Sequence, residues 1–182
     1  MNSRQKTRVL AISGSLRRQS SNTALIGAAL RLVSDTVELS IYSSLGSLPH
    51  FNPDDDGADV PAPVREFRAK LQASDAVLIS SPEYAHGVPG ALKNALDWIV
   101  GSGELIGKPV ALINASARAT HAWAALAETV TVMSARLVRE ASITIPLDGR
   151  RVDADAIAQD PNLSRALRSA IELLASAARQ PA

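Results

Sequence analysis

At 182 residues the chain is long enough for about one domain at roughly 150 residues each, and 46% apolar against 20% charged residues is the make-up of a globular fold, which excludes a disordered chain or a stapled mini-protein. With 19 Lys and Arg against 18 Asp and Glu the net charge is +1, so no strong field draws it non-specifically onto nucleic acid or an anionic membrane. Cysteine is absent, which excludes disulfides, thiolate catalysis, iron–sulfur clusters and Cys-ligated zinc.

The start, Met1 to Arg8, is polar, and the apolar run behind it is too short for the core of a signal peptide. No stretch approaches the roughly 20 apolar residues that cross a bilayer. The expectation is an unexported, cytoplasmic protein that engages neither membrane nor nucleic acid.

In chain order, the apolar run Val9-Leu10-Ala11-Ile12 predicts a buried first strand, followed by helical spacing at Leu25, Ile26, Ala29, Leu32 and Val33. Val37 to Tyr42 alternates and predicts a second strand. Ser43 to Val60, with Pro49, Pro53, Gly57 and the acids Asp54, Asp55 and Asp56, reads as a long solvated loop. Ala76-Val77-Leu78-Ile79 predicts the third strand, and Leu92, Ala95, Leu96 and Ile99 the helix behind it, with Pro89 in its first turn and Gly101 and Gly103 closing it. Val110-Ala111-Leu112-Ile113 is the fourth strand. Trp123, Leu126, Val130, Met133 and Leu137 then repeat at helical spacing, a stripe for core packing or for a dimer seam. Ile143-Thr144-Ile145 is the fifth strand, and Asp160-Pro161 opens a last helix striped by Leu163, Leu167, Ala170, Ile171 and Leu174. Near-continuous apolar strands alternating with helices predict an α/β, doubly wound parallel sheet of five strands with helices on both faces, in one domain over residues 1–182.

The first strand runs directly into Ser13-Gly14-Ser15-Leu16-Arg17-Arg18-Gln19-Ser20-Ser21-Asn22 and then the first helix. This turn lies at the carboxyl end of the sheet, where such folds bind ligands. Glycine for a tight turn, several hydroxyls, an arginine fork and free helix amides together suit a phosphate. An ordinary capped βα loop is the alternative, though a cap needs neither the arginine nor so many hydroxyls. The dinucleotide fingerprint G-x-G-x-x-G and the P-loop are both missing, and the second strand ends at Tyr42-Ser43-Ser44 without a ribose-binding acid. A monophosphate remains, held as FMN is at a flavodoxin-type switch point. Ser80 to Trp98 forms a second constellation at the same rim, next to the first in strand order 2-1-3-4-5, so that a flat ring could lie between them. Its other reading is a proline-rich turn that starts a helix, with Tyr84 a surface aromatic.

Gly14-Ser15-Leu16-Arg17 with Ser20 and Asn22, then Pro82-Glu83-Tyr84 and Val88 to Trp98, closely resembles the NAD(P)H-dependent FMN reductase family. The similarity runs from about Arg8 to Ile145 and includes Pro49 to Asn52 in the loop after the second strand. The resemblance implies a flavodoxin-like fold that binds FMN, takes electrons from NAD(P)H and reduces flavins, quinones, azo dyes or chromate as small-molecule acceptors, in a homodimer or homotetramer. It places Ser15, Arg17, Ser20 and Asn22 at the phosphate, and Pro82, Glu83, Tyr84 and Ala85 at the flavin ring, with Ala85 serving through its backbone where many members have Asn. In the third loop, Asn114 to Thr120, the common Gly-Gly pair is missing and only Ser116 carries over.

Such a cofactor exchanges hydride itself, so no catalytic acid is required, and the donor and acceptor would use one face in turn, by a ping-pong mechanism. The alternatives are a flavodoxin-type electron carrier or a flavin-binding protein without activity. His86 and Arg118 read as solvated rim residues, His50 and His121 lack ligand spacing, and no metal site is expected.

Overall fold

The computed structural model describes residues 6–147 and 152–180. The polar residues 1–5 lie outside the described part. Strands β1 (Thr7–Ser13), β2 (Val37–Tyr42), β3 (Ala76–Ser80) and β4 (Pro109–Asn114) are parallel and lie in the order β2-β1-β3-β4. Helices α1 (Ser21–Leu32), α2 (Ala62–Ala73), α3 (Gly90–Asp97) and α4 (Thr120–Val132) alternate with them, and α5 (Ala154–Gln159) and α6 (Pro161–Ala178) follow.

Side chains alternate across a strand, and here they divide one sheet between two cores. Val9, Ala11, Leu39, Leu78, Ala111 and Ile113 pack with α1, α5 and α6. Leu10, Ile12, Tyr42, Val77, Ile79 and Leu112 pack with α2, α3 and α4 on the other face. Burial on both faces is why β3 and β4 read as unbroken apolar runs. Burial also pushes the Tyr42 phenol up to about 12, with the Glu66 carboxylate adding to the shift, so it stays neutral at the end of β2.

The fifth strand position differs from the sequence expectation. It consists of two short strands, β5 (Arg136–Leu137) and β6 (Ile143–Thr144), each parallel to β4, with Ile145 beyond the second and a 3-10 turn over Arg139–Ala141 between them. Ser142 fills the break in the ladder: its hydroxyl accepts from the Leu112 amide at 3.1 Å and donates to the Val138 carbonyl at 2.8 Å. Leu137 belongs to β5 and not to the helical stripe, because α4 stops at Val132 and Ser134 reverses the chain at φ +60°. Leu126, Val130 and Met133 are buried in the core.

The long loop is less solvated than its composition implies. Leu45, Leu48 and Val60 are buried, and Asp56 forms an ion pair with Arg68 at 2.7 Å. Asn94 and Trp98 on the α3 side hold it: Asn94 Nδ2 and Trp98 Nε1 both donate to the Pro49 carbonyl at 2.8 Å, and Asn94 Oδ1 accepts from the Phe51 amide at 2.7 Å. Helix α3 starts at Gly90, with Pro89 just before it. Asp160 caps α6 as expected, accepting from the amides of Asn162 and Leu163. The short helix α5 has no counterpart in the sequence expectation; it packs on α1 so closely that a Cβ on Gly27 would sit 3.0 Å from the Ala154 Cβ. Among the described residues no helix is long and apolar enough to cross a membrane.

Candidate functional site

Register brings the strand tips level. Ser13 pairs with Ser80 and Ser80 with Ile113, so the loops after β1, β3 and β4 leave the sheet side by side. Two bonds stitch their roots together, from the Gly14 amide to the Ser80 carbonyl (2.8 Å) and from the Ser81 amide to the Ile113 carbonyl (3.3 Å). At Gly14 the neighbours come so close that a Cβ would meet Leu92 Cδ2 and Ser81 Oγ, each at 2.9 Å. A larger residue here would have to push the Leu92 and Ser81 side chains aside.

The loop after β1 is a chain of local turns. Ser13 Oγ accepts from the Ser15 amide, Ser15 Oγ from the Arg17 amide, and Ser20 Oγ caps α1 by accepting from the Thr23 amide, each at 3.3 Å. Asn22, buried at the start of α1, accepts from the Ser80 hydroxyl through Oδ1 at 3.0 Å. The bonds share one polarity. Ser15, Ser20 and Asn22 use their oxygens as acceptors within the protein, which leaves the Ser15 and Ser20 O–H groups and the Asn22 N–H₂ as donors. The exposed Arg17 guanidinium makes no hydrogen bond or ion pair among the described residues. A concentration of donors at a helix N-terminus, with an arginine fork beside it, matches a phosphate dianion. The same side chains thus shape the turn and keep donors free.

The loop after β3 is a two-residue reversal. Tyr84 and Gly87 exchange backbone bonds at 3.1 and 2.9 Å, with Ala85 at φ +48° and His86 at φ +58° between them. Alanine is disfavoured in this left-handed region, which asparagine tolerates better. Tyr84 is 49% exposed and Pro82 half-buried. The Ala85 and His86 amides have no partner among the described residues, so they remain available as donors.

The Glu83 carboxylate is engaged with a neighbouring helix. Its Oε2 accepts from the Ala122 amide at 2.8 Å, in the first turn of α4, a helix whose own N-cap, Ala119, offers no side-chain oxygen. The stacked His86 and His121 rings, 4.2 Å apart and 18° from parallel, join the same two elements. These residues stand 35 positions apart, and no local sequence signal pairs them. Ser116 sits in a turn on the third loop, where its amide donates to Asn114 Oδ1 at 2.9 Å and its Oγ accepts from the Arg118 amide at 3.3 Å. Among the described residues no group of three or more His, Cys, Asp or Glu could hold a metal. Replacing Glu83 with alanine is expected to cost about 0.5–2 kcal/mol, the range for a lost N-cap, and Glu83→Gln to recover part of it. Thermal melts of the two variants check this.

The family model described as NADPH-dependent FMN reductase matches residues 7–146, and the chain belongs to this family of oxidoreductases. It is 38% identical over 112 residues to an NAD(P)H-dependent FMN reductase of Pseudomonas aeruginosa, covering 60% of each protein, so the match spans about three-fifths of that relative. It is 32% identical to a 2-hydroxy-1,4-benzoquinone reductase of a Burkholderia species over 154 residues, 81% of this chain and 83% of the other. Among solved structures, FerB, a flavoenzyme NAD(P)H:(acceptor) oxidoreductase from Paracoccus denitrificans, superposes with a TM-score of 0.75 at 28% identity, covering 94% of this chain and 97% of FerB. The fold is flavodoxin-like, as the strand order requires.

Proposed function

We propose that the protein is an FMN-dependent NAD(P)H oxidoreductase that passes hydride from a nicotinamide to a small quinone, flavin or azo acceptor in a ping-pong cycle. The observation that carries this reading is the donor-rich cradle after β1, set level with the reversal after β3. FMN bound there would supply the hydride chemistry. Ser15, Arg17, Ser20 and Asn22 would hold its phosphate, Pro82 and Tyr84 would line the ring, and the free amides at Ala85 and His86 would offer donors to the ring's polar edge. Glu83 would keep the ring loop joined to α4, and Ser116 would border the site from the third loop.

Anaerobic mixing with NADPH or NADH, followed by a benzoquinone, tests the reading. Rapid bleaching by a nicotinamide and recolouring by the quinone, with parallel-line steady-state kinetics, is the expected result. A protein that binds FMN but bleaches too slowly for turnover would instead be a carrier, a role its net charge of +1 disfavours because docking carriers rely on a strongly charged face.

A second copy of the chain is the proposed partner of the groove between α3 and α4. This groove has a volume of about 340 Å³, and Val100, Ile106 and Val132 expose 61%, 70% and 73% of their surface on it. Lys93 and Asp97, an i,i+4 ion pair on its wall, offer both signs of charge, which suits a self-complementary twofold contact. Sedimentation equilibrium should return a dimer or a multiple of one, and a monomer at all concentrations would refute it. Lacking cysteine, the protein needs no oxidising compartment, and the cytoplasm is its proposed location.

A further inference from the structure

We infer that Ser80, the last residue of β3, is a positioning residue that orients the Asn22 amide toward the cofactor phosphate; this rests on the cradle being an FMN phosphate site. Ser80 is fully buried and lies outside the motifs that mark the cradle. It holds both ends of the β1 loop. Its carbonyl accepts from the Gly14 amide at 2.8 Å, where the loop begins, and its hydroxyl donates to Asn22 Oδ1 at 3.0 Å, where the loop passes into α1.

The hydroxyl holds the oxygen end of a symmetric-looking group. A carboxamide has an acceptor end and a donor end of nearly the same size, and only the donor end attracts a phosphate. By donating to Oδ1, Ser80 leaves Asn22 Nδ2, which has no partner among the described residues, to serve the ligand. Without that hydroxyl, Asn22 Oδ1 loses its partner whenever Nδ2 faces the anion, and the donor-outward orientation is weakened. A serine on the third strand thereby satisfies the oxygen of Asn22 while its N–H₂ faces the ligand, and its main chain fixes where the loop starts.

The test compares FMN with riboflavin, which lacks the phosphate, in equilibrium titrations of the whole chain. Ser80→Ala should weaken FMN binding about tenfold, the scale of one misdirected hydrogen bond to an anion, and leave riboflavin binding unchanged. Asn22→Ala should show a similar loss. Adding Ser80→Ala to Asn22→Ala should cost nothing more, because the positioned group is already gone. Equal losses for FMN and riboflavin, or a Ser80→Ala effect that persists without Asn22, would overturn the inference and leave the cofactor assignment standing. A wild-type chain that binds the two flavins equally would overturn the phosphate cradle, and this inference with it.

Discussion

Replacing Arg17 with alanine is expected to weaken FMN binding by about ten- to a hundredfold, because a charge-assisted bond to a phosphate contributes about 1.5–3 kcal/mol. Riboflavin binding should not change, since the proposed contact of the fork is with the phosphate, which riboflavin lacks. The apoprotein should melt where the wild type does: Arg17 is exposed and makes no side-chain bond among the described residues, so its removal orphans nothing. Arg17→Lys should fall between, keeping the charge but losing the planar fork. Fluorescence titration with both flavins checks the series, and an unchanged FMN affinity in Arg17→Ala would remove this residue from the site.

Trp98→Ala should have the largest effect on stability. Trp98 is 0% exposed, packs edge-on against Phe51 with ring centroids 5.1 Å apart, and donates to the Pro49 carbonyl at 2.8 Å. Truncating a buried aromatic costs about 3–5 kcal/mol, which lowers the melting temperature of a domain this size by roughly 6–20 °C. Trp98→Phe keeps most of the packing and loses the bond, a cost of about 1 kcal/mol. Calorimetry on the pair would separate packing from tethering of the Pro49 to Phe51 segment. Added FMN should raise the melting point of both variants, as any ligand of the native state does.

The motif that marks the family is thus mixed in purpose. Asn94 and Trp98, inside the stretch that signals the resemblance, hold a neighbouring loop, and Glu83 caps a helix. Ser15 and Ser20 shape their own turn while keeping donors for a ligand. A pattern match treats all of these as one signature, and only their contacts separate scaffold from contact surface.

Composition and pattern were enough to specify the parallel sheet and the donor-rich turn after β1, because each depends on neighbours in the chain: runs of apolar residues long enough to be buried on both faces, or hydroxyls and an arginine within one turn of a helix start. Other features rest on residues that meet only after folding. Asn22 and Ser80 are 58 positions apart, Glu83 and Ala122 are 39 apart, and the ion pair that takes Asp56 out of solvent spans 12. The divided fifth strand is of the same kind: Ser142 takes up the Leu112 amide from 30 positions away, and strands of two residues carry too little periodicity to announce themselves. Local sequence chose which groups gather at the carboxyl rim, and packing decided which of their atoms remain free to bind.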